Sequence, residues 1–504
     1  MLLDYIQIGS NISVSYFDKN GKTKIKTIPL TEDQMFNWKT CSASSQDADK
    51  KYTNWDGKPV KKAKLPYRDS NGRTVNKLSN FRIAEILDDL PKEEYEEIFG
   101  YALPKTFFVD IETEIDPDLT VKESAEQARQ PITLIGIATP DRQVIVLSSS
   151  KNLTPREQAE IDYAVKEHTR SFNMGGKEFS FKFKCCGSET NMLNYFFTNM
   201  VNKFPMMSGW NFVEFDWKYI VNRSKNLGSE VKLTNSSPIK RMTGKNSFPA
   251  HVAVVDYMEC YQKWDTSVAK ENLKLDQAGL DVLGVQKVHY DGTLDDLYRD
   301  DFKKYVYYNA IDCALVEMLH EKLGVSSIGN TLTYIAKCPT MRMFSPVALT
   351  ESILARDYYA RDQVLAIQED EKKQQAYEGA YVKKPILGFH KCCICNDFAS
   401  LYPNIIRELN LSPETLLMKL DENDIAKKKQ KLEEGYIVSE SGCVFKKDPG
   451  VFSTLVGRVY NQRKSYKKTA VNAAVKARLL EDLLKENITN EKELKAKYEQ
   501  IMNS

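Results

Sequence analysis

No stretch of the 504-residue sequence approaches the roughly eighteen consecutive apolar residues that a membrane-spanning helix requires, so no membrane partner is expected. Net charge is almost absent. The 71 Lys and Arg against 69 Asp and Glu leave only +2, which excludes a basic coat over the whole surface and confines any nucleic-acid contact to a local patch. Histidine is scarce, with five residues and no H-x-x-x-H pair, so a zinc hydrolase is a poor reading. Among the ten cysteines the one C-x-x-C, Cys392 to Cys395, has no second pair at zinc-site spacing. The surrounding HKCCICNDF reads as a strand, and its thiols are expected to be free and buried. The opening MLLDYIQIGSN has neither a basic n-region nor a long apolar h-region, so secretion is not expected and a reducing, cytoplasmic setting is. Internal repeats and low-complexity tracts are also missing.

What is present is the composition of an ordinary globular chain, 42% hydrophobic and 28% charged, long enough for three to four domains. The expected class is α/β multidomain. Residues 1–104 alternate short strand-like runs with turn signals such as Asp18-Lys19-Asn20-Gly21, which predicts a small mixed domain. Residues 105–335 open on three apolar runs, FFVDIE, ITLIGIA and QVIVL, followed by helical stretches, which predicts an α/β domain with a central sheet. Residues 336–376 read as a helical connection, 377–452 as a further region built around HKCCICNDF and SLYPNII, and 453–504 as a helical pair. The first of those helices carries seven Lys and Arg between residues 451 and 480 and no acid, a one-sided sign that favours an anionic partner.

Three acidic motifs carry chemistry. In FFVDIE the period of two puts Asp110 and Glu112 on one face of a buried strand, with Val109 and Ile111 on the other. Two carboxylates side by side repel, and a hard divalent cation is what makes such a pair tolerable. GWNFVEFDWKYI, residues 209–220, sets Asp216 among aromatics, an unusual place for a surface charge. YVYYNAIDCALVEML, residues 305–319, has helical spacing, so Tyr308 and Asp312 share a face at i, i+4 and can address one point.

Taken in this order, the three strings resemble the three exonuclease motifs of the family B DNA polymerases. The resemblance implies a ribonuclease-H-like 3′–5′ exonuclease domain over 105–335. It carries over Asp110 and Glu112, then Asn211 and Asp216, then Tyr308 and Asp312. Asp110, Glu112, Asp216 and Asp312 would hold two Mg²⁺ or Mn²⁺ ions, Tyr308 would orient the nucleophile, and Asn211 would touch DNA.

The second half extends the resemblance, towards the replicative polymerases of large tailed phages. DFASLYPNIIRELNLSPET (397–415) is similar to polymerase motif A, and YEGAYVKKP (377–385) to the preceding primer-template motif. This implies a partial palm at 377–452 and partial fingers at 453–504. Asp397 would be one metal-binding palm aspartate, Tyr402 the residue under the deoxyribose, and Tyr377 and Gly379 contacts to DNA. On the fingers helix, Arg463 and Lys467 would clamp a triphosphate, and Asn503 would join them from the closing KYEQIMNS. Two departures stand out: Glu499 occupies the place of an expected phosphate-binding Lys, and no Asp-Thr-Asp string occurs anywhere, so the second palm aspartate is missing.

The implied function is the N-terminal portion of a replicative polymerase that proofreads and binds primer-template DNA and dNTPs. Synthesis would then need a second fragment bearing the missing motif and the thumb. A sliding clamp is a further partner by resemblance, and the cytoplasm would be that of an infected bacterial host if the chain is viral. A self-sufficient 3′–5′ exonuclease with a vestigial palm, and a non-catalytic primer-template binding subunit, are the alternatives.

Overall fold

The computed structural model describes residues 1–69, 71–172, 177–201, 203–228, 240–243, 246–249, 252–265, 272–366, 381–485 and 491–503. They form two compact units, one of residues 1–36 with 75–353 and one of residues 37–74 with 354–504. Each unit is therefore discontinuous in sequence.

The first unit opens with an antiparallel meander, β1 (Leu2–Ile8), β2 (Asn11–Phe17) and β3 (Thr23–Pro29). Its centre is a six-stranded sheet. The strands are β4 (Thr106–Thr113), β5 (Ile132–Thr139), β6 (Gln143–Ser148), β7 (Ser180–Cys185), β8 (Met206–Gly209) and β9 (Ala253–Asp256), in the order β7-β6-β5-β4-β8-β9. The first three are the apolar runs expected from sequence, and they pair antiparallel in succession. The outer pairs, β6 with β7, β4 with β8 and β8 with β9, are parallel.

Helices cover both faces, as an almost wholly apolar sheet requires. Phe107, Val109 and Ile111 of β4 enter one core with Trp217 and Ile220 of helix α1 (Asp216–Asn226), while Phe108 enters the opposite core. Helix α2 (Tyr257–Trp264) follows β9 directly. The long helix α3 (Phe302–Leu323) packs in the second core through Val306, Ala310, Ile311 and Leu315. Its ends are written in the sequence. Asp301 caps it by accepting from Lys304 N, and Gly324 ends it with φ 59°, a left-handed conformation in which an L side chain is strained.

One close approach fixes where α3 lies. Gly136 of β5 faces the helix, and a Cβ placed there would come within 2.3 Å of Asn309 Oδ1 and 2.6 Å of Cys313 Sγ. Only glycine lets the helix sit this near the strand.

In the second unit, the short strands Phe36–Thr40 and Val60–Lys64 pair, and Gln363–Val364 pairs in parallel with Thr53–Asn54. Asn54 Oδ1 also accepts from Ala366 N at 3.1 Å. Two helices, α4 (Val451–Lys485) and α5 (Glu491–Asn503), end the chain, and Lys476 Nζ of α4 donates to Met502 O of α5 at 2.7 Å, as expected of an antiparallel pair. The buried Asn410 organises the start of α4. Its Oδ1 accepts from Gly450 N and Ser453 Oγ, and its Nδ2 donates to Lys446 O and Asp448 O.

The strand expected over HKCCICNDF does not form. Residues 390–398 are without strand structure and exposed, and Cys392, Cys393 and Cys395 are exposed rather than buried. The physical reason is the absence, among the described residues, of a strand for it to pair with. A lone apolar strand leaves its backbone groups to water and gains nothing from the sheet ladder.

Candidate active site

Asp110 and Glu112 project from β4 towards α3, which supplies Asp312. One carboxylate oxygen from each of the three lies within 4.8 Å of the others. Among the described residues this is the only such group of three or more metal-ligating side chains. Glu112 and Asp312 are buried, and Asp110 faces Gly136 across the ladder, which is where α3 comes nearest.

Asp216 stands beside this group rather than in it. Placed in the first turn of α1, where a carboxylate is favoured, it accepts from Ile111 N through Oδ1 at 3.0 Å. That bond ties α1 to the strand residue between Asp110 and Glu112. The approach to α1 is a tight turn: Asn211 has φ 58°, and its carbonyl accepts from Phe215 N. Asp256 braces the turn, accepting from Val213 N and from Met258 N, each at 3.0 Å.

Tyr308 and Asp312 do share a point on α3, and a residue not singled out from sequence joins them. Lys287 Nζ donates to Tyr308 Oη at 3.2 Å and to Asp312 Oδ2. Asn309 is a second addition; its Nδ2 donates to Asp110 Oδ2 at 2.8 Å. Lys287 carries no sequence signal, because it sits in an aperiodic loop and meets Asp312 only through the tertiary fold. Asn309 had one: it is a polar residue between Tyr308 and Asp312 in an otherwise apolar stretch of helix.

Burial pushes the carboxyls of Asp110, Glu112, Asp216 and Asp312 above the usual range, and repulsion from neighbouring carboxylates adds to it at each. Asp110 is pushed up to about 7. At Lys287 burial opposes the charge, but Asp312, Tyr308 and Asp110 outweigh it and hold the ammonium protonated. This single cation offsets part of what raises Asp110, Glu112 and Asp312, yet all three stay above the usual range. A hard divalent cation fits such a set. The donors are all carboxylate oxygens, and Asp312 Oδ1 is buried without a hydrogen-bond partner.

The residues expected at a polymerase site lie in the second unit. Asp397 is exposed in the extended segment, and Tyr402 is 70% exposed on the helix Leu401–Glu408. Arg463 and Lys467 are exposed on one face of α4. Tyr377 and Gly379 lie outside the described residues, as does the side chain of Asn503. The same unit holds a local basic patch. An open cleft of about 890 Å³ is lined by Lys39, Lys50, Lys51, Lys61, Lys62 and Lys64, with Asp47 and Asp49 as its acids.

Residues 64–263 match the family described as DNA polymerase family B, exonuclease domain, and residues 347–494 match DNA polymerase family B. The chain is 26% identical to the DNA-directed DNA polymerase of Escherichia phage RB69, over 95% of this chain and 55% of the relative. It is 27% identical to that of Enterobacteria phage T4, over 56% of this chain and 33% of the relative. To the DNA polymerase catalytic subunit of Alcelaphine herpesvirus 1 it is 30% identical, over 46% of this chain and 25% of that subunit. The chain thus spans about half the length of the first relative and a third of the second.

Proposed function

Because the chain belongs to the family B DNA polymerases, we propose that its first unit removes nucleotides from the 3′ end of DNA and that its second carries part of the polymerising site. The convergence of Asp110, Glu112 and Asp312 within 4.8 Å carries the first half of this reading.

In the exonuclease, Mg²⁺ or Mn²⁺ when bound would supply positive charge beside the scissile phosphate and lower the pKa of a water molecule towards neutrality. Asp110, Glu112 and Asp312 would hold them, with Asp216 contributing directly or through water. Lys287 keeps the Tyr308 hydroxyl and the Asp312 carboxylate in fixed positions, so that Tyr308 can orient the attacking water by hydrogen bonding. The water oxygen bonds to phosphorus, the bond from phosphorus to the 3′ oxygen breaks, and that oxygen takes up a proton. The products are a nucleoside 5′-monophosphate and a strand with a new 3′ hydroxyl.

In the polymerising half, Asp397 supplies one palm carboxylate, Tyr402 borders the deoxyribose, and Arg463 with Lys467 holds the triphosphate. The lysine cleft of residues 37–74 gives the phosphate backbone a local path. Since charge on two ions must be balanced by more than one acid, primer extension is expected to need a carboxylate from outside these 504 residues. A single strand labelled in its last internucleotide phosphate tests the reading. Chromatography of the digest should show labelled nucleoside 5′-monophosphate, released equally fast by Asp397→Ala. Labelled oligonucleotides as the first product, or loss of release in Asp397→Ala, would contradict it.

A further inference from the structure

Asn309 is fully buried on α3, one residue after Tyr308 and three before Asp312, and its amide is used on one side only. Nδ2 donates to Asp110 Oδ2 at 2.8 Å and, with a longer contact of 3.4 Å, to the Asp110 carbonyl. Oδ1 is buried with no hydrogen-bond partner and lies against the Cα of Gly136. A buried amide oxygen without a partner is costly, so something else keeps the group this way round. Turning the amide over would bring Oδ1 against the Asp110 carboxylate, an acceptor facing an acceptor, and would leave the NH₂ against glycine with nothing to receive it. The orientation is therefore dictated by Asp110.

We propose that Asn309 is a positioning residue of the cation site, which fixes the Asp110 carboxylate for metal binding through the hydrogen bond from its Nδ2. This rests on the cation site assigned above. The bond engages Asp110 Oδ2 and leaves Oδ1 to the ion, so the carboxylate need not be reoriented when the ion arrives. Gly136 is part of the same device, because any larger residue would occupy the space that Asn309 fills.

Calorimetric titration of Mn²⁺ into the full chain tests this without relying on turnover. Asn309→Leu keeps the volume and removes the donor; Asn309→Ala removes both and leaves room for a water that can donate in its place. The expected result is Mn²⁺ binding weakened about 10- to 100-fold in Asn309→Leu, and less in Asn309→Ala, although Asn309→Ala unfolds at the lower temperature. The half-saturating Mg²⁺ for strand digestion should rise in the same rank order, with KM for DNA unchanged. A residue that merely fills space would give the opposite order, with Asn309→Leu close to wild type, and that result would overturn the inference while leaving the cation site intact. Failure of the wild type to bind Mn²⁺ would overturn the cation site and the inference together.

Discussion

Replacing Asp110 by Asn and Glu112 by Gln in one variant is expected to abolish cation-dependent cleavage and, in metal-free buffer near pH 8, to raise the unfolding temperature above that of the wild type. The two effects have one cause. The wild-type carboxyls are held above their ordinary range, chiefly by burial and then by repulsion from neighbouring carboxylates, Asp312 among them, with Asp110 at about 7 against an ordinary 3.8. A carboxyl whose folded pKa is raised contributes stability below its unfolded pKa and loses it as the pH climbs through the folded value. In the metal-free wild type the share of the loss that belongs to Asp110 therefore falls between about pH 4 and 7, at roughly 1.4 kcal/mol for each unit of upward displacement. The amide variant keeps the shapes, offers Asn309 an acceptor, and has no charge to bury. Scanning calorimetry should find it the more stable near pH 8 and the two nearly equal below pH 4. Mg²⁺ should restore the wild type and leave the variant unmoved. A variant less stable than the wild type at both pH values would show that burial and repulsion do not govern these acids.

The second large effect is expected from a residue with no chemistry of its own. Gly136→Ala places a methyl group 2.3 Å from Asn309 Oδ1 and 2.6 Å from Cys313 Sγ, and both belong to a helix that cannot retreat without taking Asp312 along. Overpacking of this kind costs about 1–3 kcal/mol. Chemical denaturation should show that loss, and Mn²⁺ titration should show weaker binding, because the displaced residue is the one that holds Asp110. Gly457→Ala is the matched comparison. On α4 its added methyl comes no nearer than 3.5 Å to another group, so the change should be neutral or stabilise by up to about 1 kcal/mol. If Gly136→Ala behaved like Gly457→Ala, the close approach of α3 would not be what sets the site.

How far the site could be read before the fold was known follows from the range of each interaction. Asp110 and Glu112 were legible because a period of two is local, and Tyr308 with Asp312 because i, i+4 is local. The three apolar runs became three adjacent strands for the same reason. Gly136 had its signal too, since a glycine inside the apolar run ITLIGIA marks a close approach. Lys287 did not, because it sits in an aperiodic loop, its partner Asp312 is twenty-five residues away on α3, and only tertiary packing brings them together. HKCCICNDF failed for the complementary reason. Its composition satisfies a strand, yet strand formation depends on a neighbour, and no described strand lies alongside. Periodicity reports which face a residue occupies; it is silent on what stands opposite.

The central claim is that the carboxylate group of the first unit hydrolyses DNA from the 3′ end with a bound divalent cation. Digestion of a 5′-labelled single strand by the purified chain tests it most directly, run with Mg²⁺ and again with EDTA. With Mg²⁺ the labelled strand should shorten one nucleotide at a time, and with EDTA it should persist unchanged. Immediate release of the 5′ label, internal cutting, or equal digestion in EDTA would contradict the account.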